Sequence, residues 1–260
     1  MPWTFAHPAA VLPLRRFSGP GRLSFAALVI GSTSPDFLYY IGQFDLAAFT
    51  HTPLGVLEIC VPAGLLVLSL ALWLRHPIAQ LLPQPHRDAL LDGGSALLHF
   101  SLRSFSVAAV SLMLGASTHL LWDAFTHQGR FFVMHLEFLR VPVFVVFNRE
   151  FRVFNIIQHV STVLGLTFLF AVYYRHARRF GSFTELTAED RRSYVVLAVV
   201  GIAAIVSTLP LALVDAADPG ADVNVSKLVV RQVIYATTAF FVLLTCLALS
   251  RRQRSLSGGG

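Results

Sequence analysis

The fold and the chemistry of this chain are decided by Gly115-Ala116-Ser117-Thr118-His119-Leu120-Leu121-Trp122-Asp123-Ala124-Phe125-Thr126-His127, which closes an apolar run that begins near Phe105. The run predicts a membrane helix whose last turns carry the polar residues. Steps of four place His119, Asp123 and His127 on one helical face, a geometry suited to a metal ion. Polar residues fraying into water at a helix end would give the same pattern. However, an Asp near the bilayer centre costs about 2.5–3.5 kcal/mol unless paired, which favours a functional role.

Composition places the chain in the membrane class. Of its 260 residues 55% are hydrophobic and only 13% are charged, whereas soluble domains carry about 25% charged residues. We therefore expect an all-α, polytopic helical membrane protein. The net charge of +6 comes mostly from arginines that flank apolar runs, which indicates membrane orientation and argues against a nucleic-acid partner. Cys60 and Cys246 each stand alone in an apolar run and are interpreted as packing residues.

The apolar runs predict about six transmembrane helices. They cover residues 23–41, 54–74, 105–127, 154–174, 194–214 and 233–249. Pro35 interrupts the first, which leaves Asp36 at its broken end. A signal peptide would also fit this first run, although a proline beside the candidate cleavage site disfavours it. Residues 128–152 are too interrupted to span and are expected to lie along the membrane interface.

The expected organisation has four parts. A metal-site domain covers residues 1–176 and a basic cytoplasmic loop covers 177–192. A two-helix membrane scaffold follows at 193–250, and 251–260 is a disordered tail. With six spans and both termini in the cytoplasm, 14 of the 20 Lys and Arg residues lie inside, as the positive-inside rule requires. We therefore expect a multi-pass protein of the inner cell membrane.

This topology gathers the ionisable residues at one face. Asp36, His51, His119, Asp123, His127 and His159 all fall at the outer ends of their helices. His7 lies inside, unless the first segment is re-entrant or residues 23–41 do not span. Three or four imidazoles with two carboxylates exceed the four ligands of a structural zinc. They fit a catalytic site with an open position or a site for two ions, most simply zinc.

Such a site favours hydrolysis, because a bound divalent ion lowers the pKa of its water towards 7. The sequence contains no competing Gly-rich phosphate loop, GxSxG motif or Cys/His pair. Arg130, Arg149 and Arg152 remain on the site's side against the charge rule, where they would bind an anionic substrate. Alternatively, they reach lipid phosphates as ordinary interfacial arginines.

Several motifs resemble a bacterial integral-membrane family, domain of unknown function 4184. They are His7-Pro8-Ala9-Ala10-Val11-Leu12-Pro13, Gly31-Ser32-Thr33-Ser34-Pro35-Asp36-Phe37, His51-Thr52-Pro53-Leu54-Gly55 and Ser117 to His127, extended by Gln158-His159. The resemblance covers about the first 175 residues. The same order is similar to membrane-bound metal-dependent hydrolases and, more distantly, to the zinc-dependent phospholipase C and nuclease superfamily. This resemblance implies that the metal ligands are His7, Asp36, His51, His119, Asp123 and His159.

One departure from the phospholipase pattern limits the metal count. Those enzymes place a Glu four residues after a second helical His. In this sequence the residue four positions after His159 is Val163, which cannot bind a metal ion. We therefore expect one or two ions rather than three.

Three functions remain open at this point. The first is a hydrolase of phosphoester or lipid-like substrates that works beside membrane lipid. The second is a non-enzymatic membrane protein in which a metal ties helices together. The third is a transporter or proton relay, which would spread its ionisable groups across the bilayer rather than cluster them at one face.

Overall fold

The computed structural model describes residues 3–19, 21–92, 101–146, 149–217 and 224–257, and it leaves the side chains of residues 149 and 254–257 outside the description. The helices are α1 (Pro8–Val11), α2 (Phe25–Thr33), α3 (Phe37–Tyr40), α4 (Phe44–Thr50), α5 (Pro53–Gly55), α6 (Val61–Ala79), α7 (His86–Leu91), α8 (Leu102–Thr126), α9 (Phe131–His135), α10 (Val153–Ala177), α11 (Ala188–Ala216) and α12 (Val225–Ser257). The strands are β1 (Pro142–Val146) and β2 (Arg149–Arg152).

Within these residues, five helical stretches are long and apolar enough to cross a bilayer. They are Pro53–Ala79, Leu102–His135, Val153–Ala177, Ala188–Ala216 and Val225–Gln253. The prediction of an all-α polytopic membrane protein is therefore confirmed. The number of spans is five among the described residues, rather than about six.

The difference lies in the first apolar run, which is not one continuous helix. α2 has nine residues and is about 14 Å long, less than half of the roughly 30 Å hydrocarbon core. A 3₁₀ turn at Ser34–Asp36 ends it, because Pro35 has no N–H for the α-helical ladder. The carbonyl of Pro35 accepts a 2.6 Å hydrogen bond from Thr50 Oγ1. The broken end expected at Asp36 is thus built into the fold.

The chain packs as two compact units. The first comprises Met1–Leu38, Gln43–Ser69 and Ser95–Tyr174. Its centre is the packing of α2 along α8, where two glycines permit close backbone approach. A Cβ atom on Gly31 would collide with the backbone of Leu112, and one on Gly115 with the backbone of Leu28 and Ser32. This approach brings the last turns of α8 beside the broken end of α2.

The connector between α8 and α10 contains α9, a 3₁₀ turn at Glu137–Arg140 and an antiparallel hairpin of β1 and β2. Phe144 and Phe151 pair across the hairpin with ring centroids 5.1 Å apart. Val133, Leu139 and Phe154 form a buried cluster beneath the connector, which anchors it to the start of α10.

The second unit comprises Tyr39–Gly42, Leu70–Gly94 and Arg175–Gly260, and the pairing of α11 with α12 dominates it. Thr187 and Asp190 form a capping box at the start of α11, and Asp190 also accepts a 2.7 Å bond from the N–H of Gln84. Asp215 accepts a hydrogen bond from Tyr235. Helix α12 continues to Ser257, through much of the segment expected to be a disordered tail; residues 258–260 lie outside the described residues.

Candidate metal centre

The last turns of α8 supply three members of the candidate site. The helical step of four places His119 Nε2 3.4 Å from Asp123 Oδ2 and His127 Nδ1 3.2 Å from Asp123 Oδ1. His119 and Asp123 are buried, at 0% and 3% exposure, while the His127 side chain is 21% exposed. The face predicted from the sequence therefore points into the protein.

The N-terminal segment delivers His7 to this face. Pro8 opens α1 directly after His7, whose side chain makes no capping bond and is free to face α8. His7 Nε2 lies 3.8 Å from Asp123 Oδ1. Its ring stacks on that of His119 with centroids 3.6 Å apart.

The breaks around α2 and α4 supply Asp36 and His51. Asp36 sits in the 3₁₀ turn after α2, and His51 directly follows the last residue of α4. His51 Nε2 lies 3.3 Å from Asp36 Oδ1 and 3.5 Å from Asp123 Oδ2. His119 Nε2 lies 3.7 Å from Asp36 Oδ1. His119 thus belongs to two sets that could each hold a metal ion, His7–His119–Asp123 and Asp36–His51–His119.

The Nδ1 atoms of His119 and His51 are hydrogen-bonded to backbone carbonyls, and this orients their Nε2 atoms towards the centre of the cluster. His119 Nδ1 lies 2.8 Å from the carbonyl oxygen of Ser32, and His51 Nδ1 lies 2.7 Å from that of Ala47. A carbonyl only accepts, so both Nδ1 atoms carry a proton and both Nε2 atoms turn inward, where each is a bare donor atom once its ring is neutral. Metal-bound imidazoles are held in this way.

Asp36 is held similarly. Its Oδ2 accepts a 2.6 Å hydrogen bond from Thr4 Oγ1, which leaves Oδ1 to face His51 and His119. Asp36 Oδ1, His119 Nε2 and Asp123 Oδ1 are buried and have no hydrogen-bond partner among the described residues. Buried polar atoms without partners are costly, and a bound ion is one reason to keep them.

The distances between the imidazole nitrogen and carboxylate oxygen atoms are longer than those of hydrogen-bonded ion pairs and close to those between two ligands of one metal ion. Charge-assisted N–H···O bonds are about 2.7–2.9 Å long, whereas the five contacts around His7, His51 and His119 measure 3.3–3.8 Å. Two ligand atoms at about 2.0–2.1 Å from one ion and at a tetrahedral angle lie about 3.4 Å apart. The residues present therefore fit a divalent metal ion, while the same groups also pair with one another electrostatically.

Protonation differs among the ligands outside the spans. Burial and the neighbouring His119 lower the pKa of His7 to about 3, so this imidazole is neutral near pH 7. Burial also opposes the charge of His51, but the nearby carboxylates of Asp123 and Asp36 outweigh it and raise the pKa of His51 to about 9. The pKa of Asp36 is lowered by His119, His51 and Thr4 against the effect of burial.

The remaining predicted residues do not belong to either of the two sets. The His159 side chain is exposed and tilts against Phe151, with ring centroids 6.2 Å apart, while its neighbour Gln158 is the buried one. Arg130 donates to the carbonyl of His51 at 3.3 Å. Arg152 pairs with Glu150 at 2.8 Å, and the side chain of Arg149 lies outside the described residues.

Sequence reasoning missed the groups that hold the ligands in place. Thr4 carried no signal, although it lies three residues before His7. The carbonyls of Ser32 and Ala47 belong to the backbone, so no side chain could have pointed to them. The one usable sign in the sequence would have been that Thr4 is a polar residue close to His7, a predicted ligand.

Comparison with known proteins identifies a family for this chain. A family model described as "Domain of unknown function (DUF4184)" matches residues 1–249. No curated protein and no solved structure matches the chain. The match extends beyond the first 175 residues, where the quoted motifs lie, and takes in α11 and most of α12. The chain belongs to the DUF4184 family.

Proposed function

We propose that this protein is an integral-membrane, metal-dependent hydrolase that cleaves a phosphoester or lipid-like substrate. The observation that carries the proposal is the cluster of buried imidazole and carboxylate atoms spaced 3.3–3.8 Å apart, with their outer atoms held by Ser32, Ala47 and Thr4. We assign the site one or two divalent ions, and zinc is the ion that this ligand mixture fits best.

A divalent ion held by His7, Asp36, His51, His119 and Asp123 would supply Lewis acidity and would lower the pKa of a bound water. In the reaction, a water oxygen bonds to phosphorus, the bond from phosphorus to the leaving alcohol oxygen breaks, and that oxygen takes up a proton. The order of His, Pro-Asp, His-Thr and His-x-x-x-Asp motifs, similar to membrane-bound metal-dependent hydrolases and zinc-dependent phospholipases, supports the same chemistry.

Arg130 is the anion-binding residue of this proposal. It is half-buried and donates to the backbone of His51, so its guanidinium lies at the edge of the cluster. No carboxylate within 4 Å pairs with it in the part of the chain that is described, unlike Arg152. A guanidinium without an acidic partner is available to a phosphate oxygen.

The proposal places the cluster at the outer face of the inner cell membrane. Arginines concentrate in residues 178–192 and 251–254, which assigns both segments to the cytoplasm. Five crossings then put the N-terminal segment outside, together with His7. The expectation that both termini are cytoplasmic required a sixth crossing. Reporter fusions after Arg179 and after Arg16 should read cytoplasmic and external, respectively.

A structural metal site is the second candidate, because Asp36 and His119 are fully buried and the ligands come from four separate segments. An ion that only ties these segments together has all its coordination positions filled by protein. A catalytic ion keeps one for water or substrate. A relay or transporter has less support, because the described cluster lies near one end of α8.

The test is metal analysis and turnover on the same detergent-purified protein. We expect one or two equivalents of zinc, manganese or iron, and hydrolysis of bis(p-nitrophenyl) phosphate or of phosphatidic acid in mixed micelles. Arg130→Gln should raise KM without changing the metal content. Arg152→Gln should change neither KM nor the metal content. Protein without stoichiometric metal would overturn the proposal. Stoichiometric metal without turnover of any ester would favour the second candidate, a structural metal site.

A further inference from the structure

An apolar cavity of about 390 Å³ lies beside the metal-site cluster in the first unit. Three segments line it: the turns around α1, the last turns of α8 and the middle of α10. The residues used below are His7, Ala10, Trp122, Leu164, Gly165 and Phe168. Its volume falls within the range of about 300–1,000 Å³ that is typical of ligand sites.

His7 joins this cavity to the cluster. Its ring lines the cavity, while its Nε2 atom lies 3.8 Å from Asp123 Oδ1. A molecule in the cavity therefore has one end against the ligands of the candidate metal centre. The rest of the lining is mostly apolar, and the Trp122 N–H is already bonded to Ser161 Oγ at 3.2 Å.

Helix α10 packs closely against the N-terminal segment at one side of the cavity and exposes apolar side chains next to that contact. Gly165 lies so close to the N-terminal segment that a Cβ atom there would be 3.1 Å from the Ala6 carbonyl oxygen and 3.5 Å from the Ala9 Cβ. Next to it, Leu164 and Phe168 are 63% and 54% exposed, on a helix apolar enough to span a bilayer. The cavity is thus accessible from the hydrocarbon region.

We propose that this cavity binds an acyl chain of the lipid substrate and so holds the head group of that lipid at the cluster. The inference rests on the proposed function and names its substrate class, an anionic membrane phospholipid. Two features favour this occupant: an apolar wall leads to one polar end at His7, and Arg130 lies at the edge of the same cluster. A small water-soluble ester is a less suitable substrate, because it has no acyl chain to fill the cavity.

Photocrosslinking tests binding without requiring turnover. The probe is phosphatidic acid with a diazirine on one acyl chain, and adducts are mapped by peptide mass spectrometry. Ala10→Phe narrows the cavity from an exposed position on its wall. Val163→Phe is the control, because Val163 is 63% exposed on α10, next to the lining residue Leu164, and does not itself line the cavity.

We expect adducts on the cavity segments, reduced at least fivefold by Ala10→Phe and unchanged by Val163→Phe. Labelling that is equal in all three proteins, or spread over the outer faces of α8 and α10, would overturn the proposal. Ala10→Phe must retain the metal content of the unsubstituted protein for its result to count, and Ala10→Leu is the smaller substitution if it does not.

Kinetics add a second readout. Ala10→Phe should lower kcat/KM for dioleoyl phosphatidic acid at least tenfold and leave that for bis(p-nitrophenyl) phosphate unchanged. Equal losses on both substrates would contradict acyl-chain binding. Absence of turnover on every ester would reject the hydrolase, whereas the crosslinking pattern would still decide whether the cavity holds an acyl chain.

Discussion

The imidazole rings of His7 and His119 stack with centroids 3.6 Å apart and planes 13° from parallel. Two imidazolium ions at this distance would repel strongly, and burial together with His119 lowers the pKa of His7 to about 3. The imidazole of His7 is therefore neutral near pH 7, and as a metal ligand it would not need to lose a proton first.

His51 behaves in the opposite way, which predicts a pH dependence of metal binding. Its pKa is raised to about 9, so a metal ion must displace a proton from it at any lower pH. Zinc affinity should rise by about tenfold per pH unit, or more, between pH 6 and 9. Titration calorimetry in buffers of different ionisation enthalpy should show release of at least one proton per ion. No proton release at pH 7 would show that His51 is not a ligand.

Removal of a central ligand should remove the metal. Asp123→Asn keeps the size of the side chain and loses the charge that offsets the cation, and His119→Ala loses an atom shared by both ligand sets. Both variants should retain less than about a tenth of the metal, as measured by elemental analysis. His135→Ala is the control, since this histidine is exposed on α9. Equal metal content in all three variants would rule out the assigned site.

The hydroxyl of Thr4 should matter although it is not itself a predicted ligand. Thr4→Val keeps the shape and removes the 2.6 Å hydrogen bond to Asp36, so metal affinity should fall about 10–100-fold, as is usual for groups that orient metal ligands. Thr33→Val loses only a bond to the carbonyl of Ile30 and should bind metal normally. Competition with a fluorescent chelator measures both, and unchanged affinity in Thr4→Val would contradict the role.

The close approach of α2 and α8 should not tolerate a methyl group. Gly115→Ala places a Cβ against the backbone of Leu28 and Ser32, which should destabilise the fold by about 1–3 kcal/mol and lower the metal content. Gly201→Ala has open space around its Cβ and should be neutral or slightly stabilising. Thermal unfolding in detergent compares them. A Tm for Gly115→Ala equal to that of Gly201→Ala would show that the helices can separate without cost.

His159 provides a test between resemblance and geometry. The family-like motif Gln158-His159 suggests a ligand, whereas the His159 side chain is exposed and belongs to neither ligand set. We expect His159→Ala to keep its full metal content and its activity. Loss of metal comparable to that of His119→Ala would restore His159 to the site.

Much of the site could be predicted because its chemistry coincides with local sequence rules. His119 and Asp123 are four residues apart on a helix, so their common face follows from helical geometry alone. Asp36 follows a proline that ends α2, and His51 precedes one that opens α5. Asp36 and His51 are therefore candidate ligands that stand where the chain must change direction.

The structure departs from the sequence pattern where the outcome depends on tertiary packing. Gln158 and His159 are adjacent in sequence, yet a helix turns about 100° per residue, so only one of them faces the interior. The first apolar run has the composition of a span, but the glycine contact between α2 and α8 holds nine residues of it within the protein. The carbonyls of Ser32 and Ala47 are available in every sequence and become specific only when the backbone is folded.

The shortness of α2 also has a consequence for biosynthesis. A helix of nine residues cannot leave the insertion machinery as an independent membrane segment, because it covers less than half of the bilayer. Its apolar side chains need the surface of α8, which the ribosome makes later. The metal centre is therefore expected to assemble only after Asp123 has been translated, and the N-terminal segment should remain open to proteases until then.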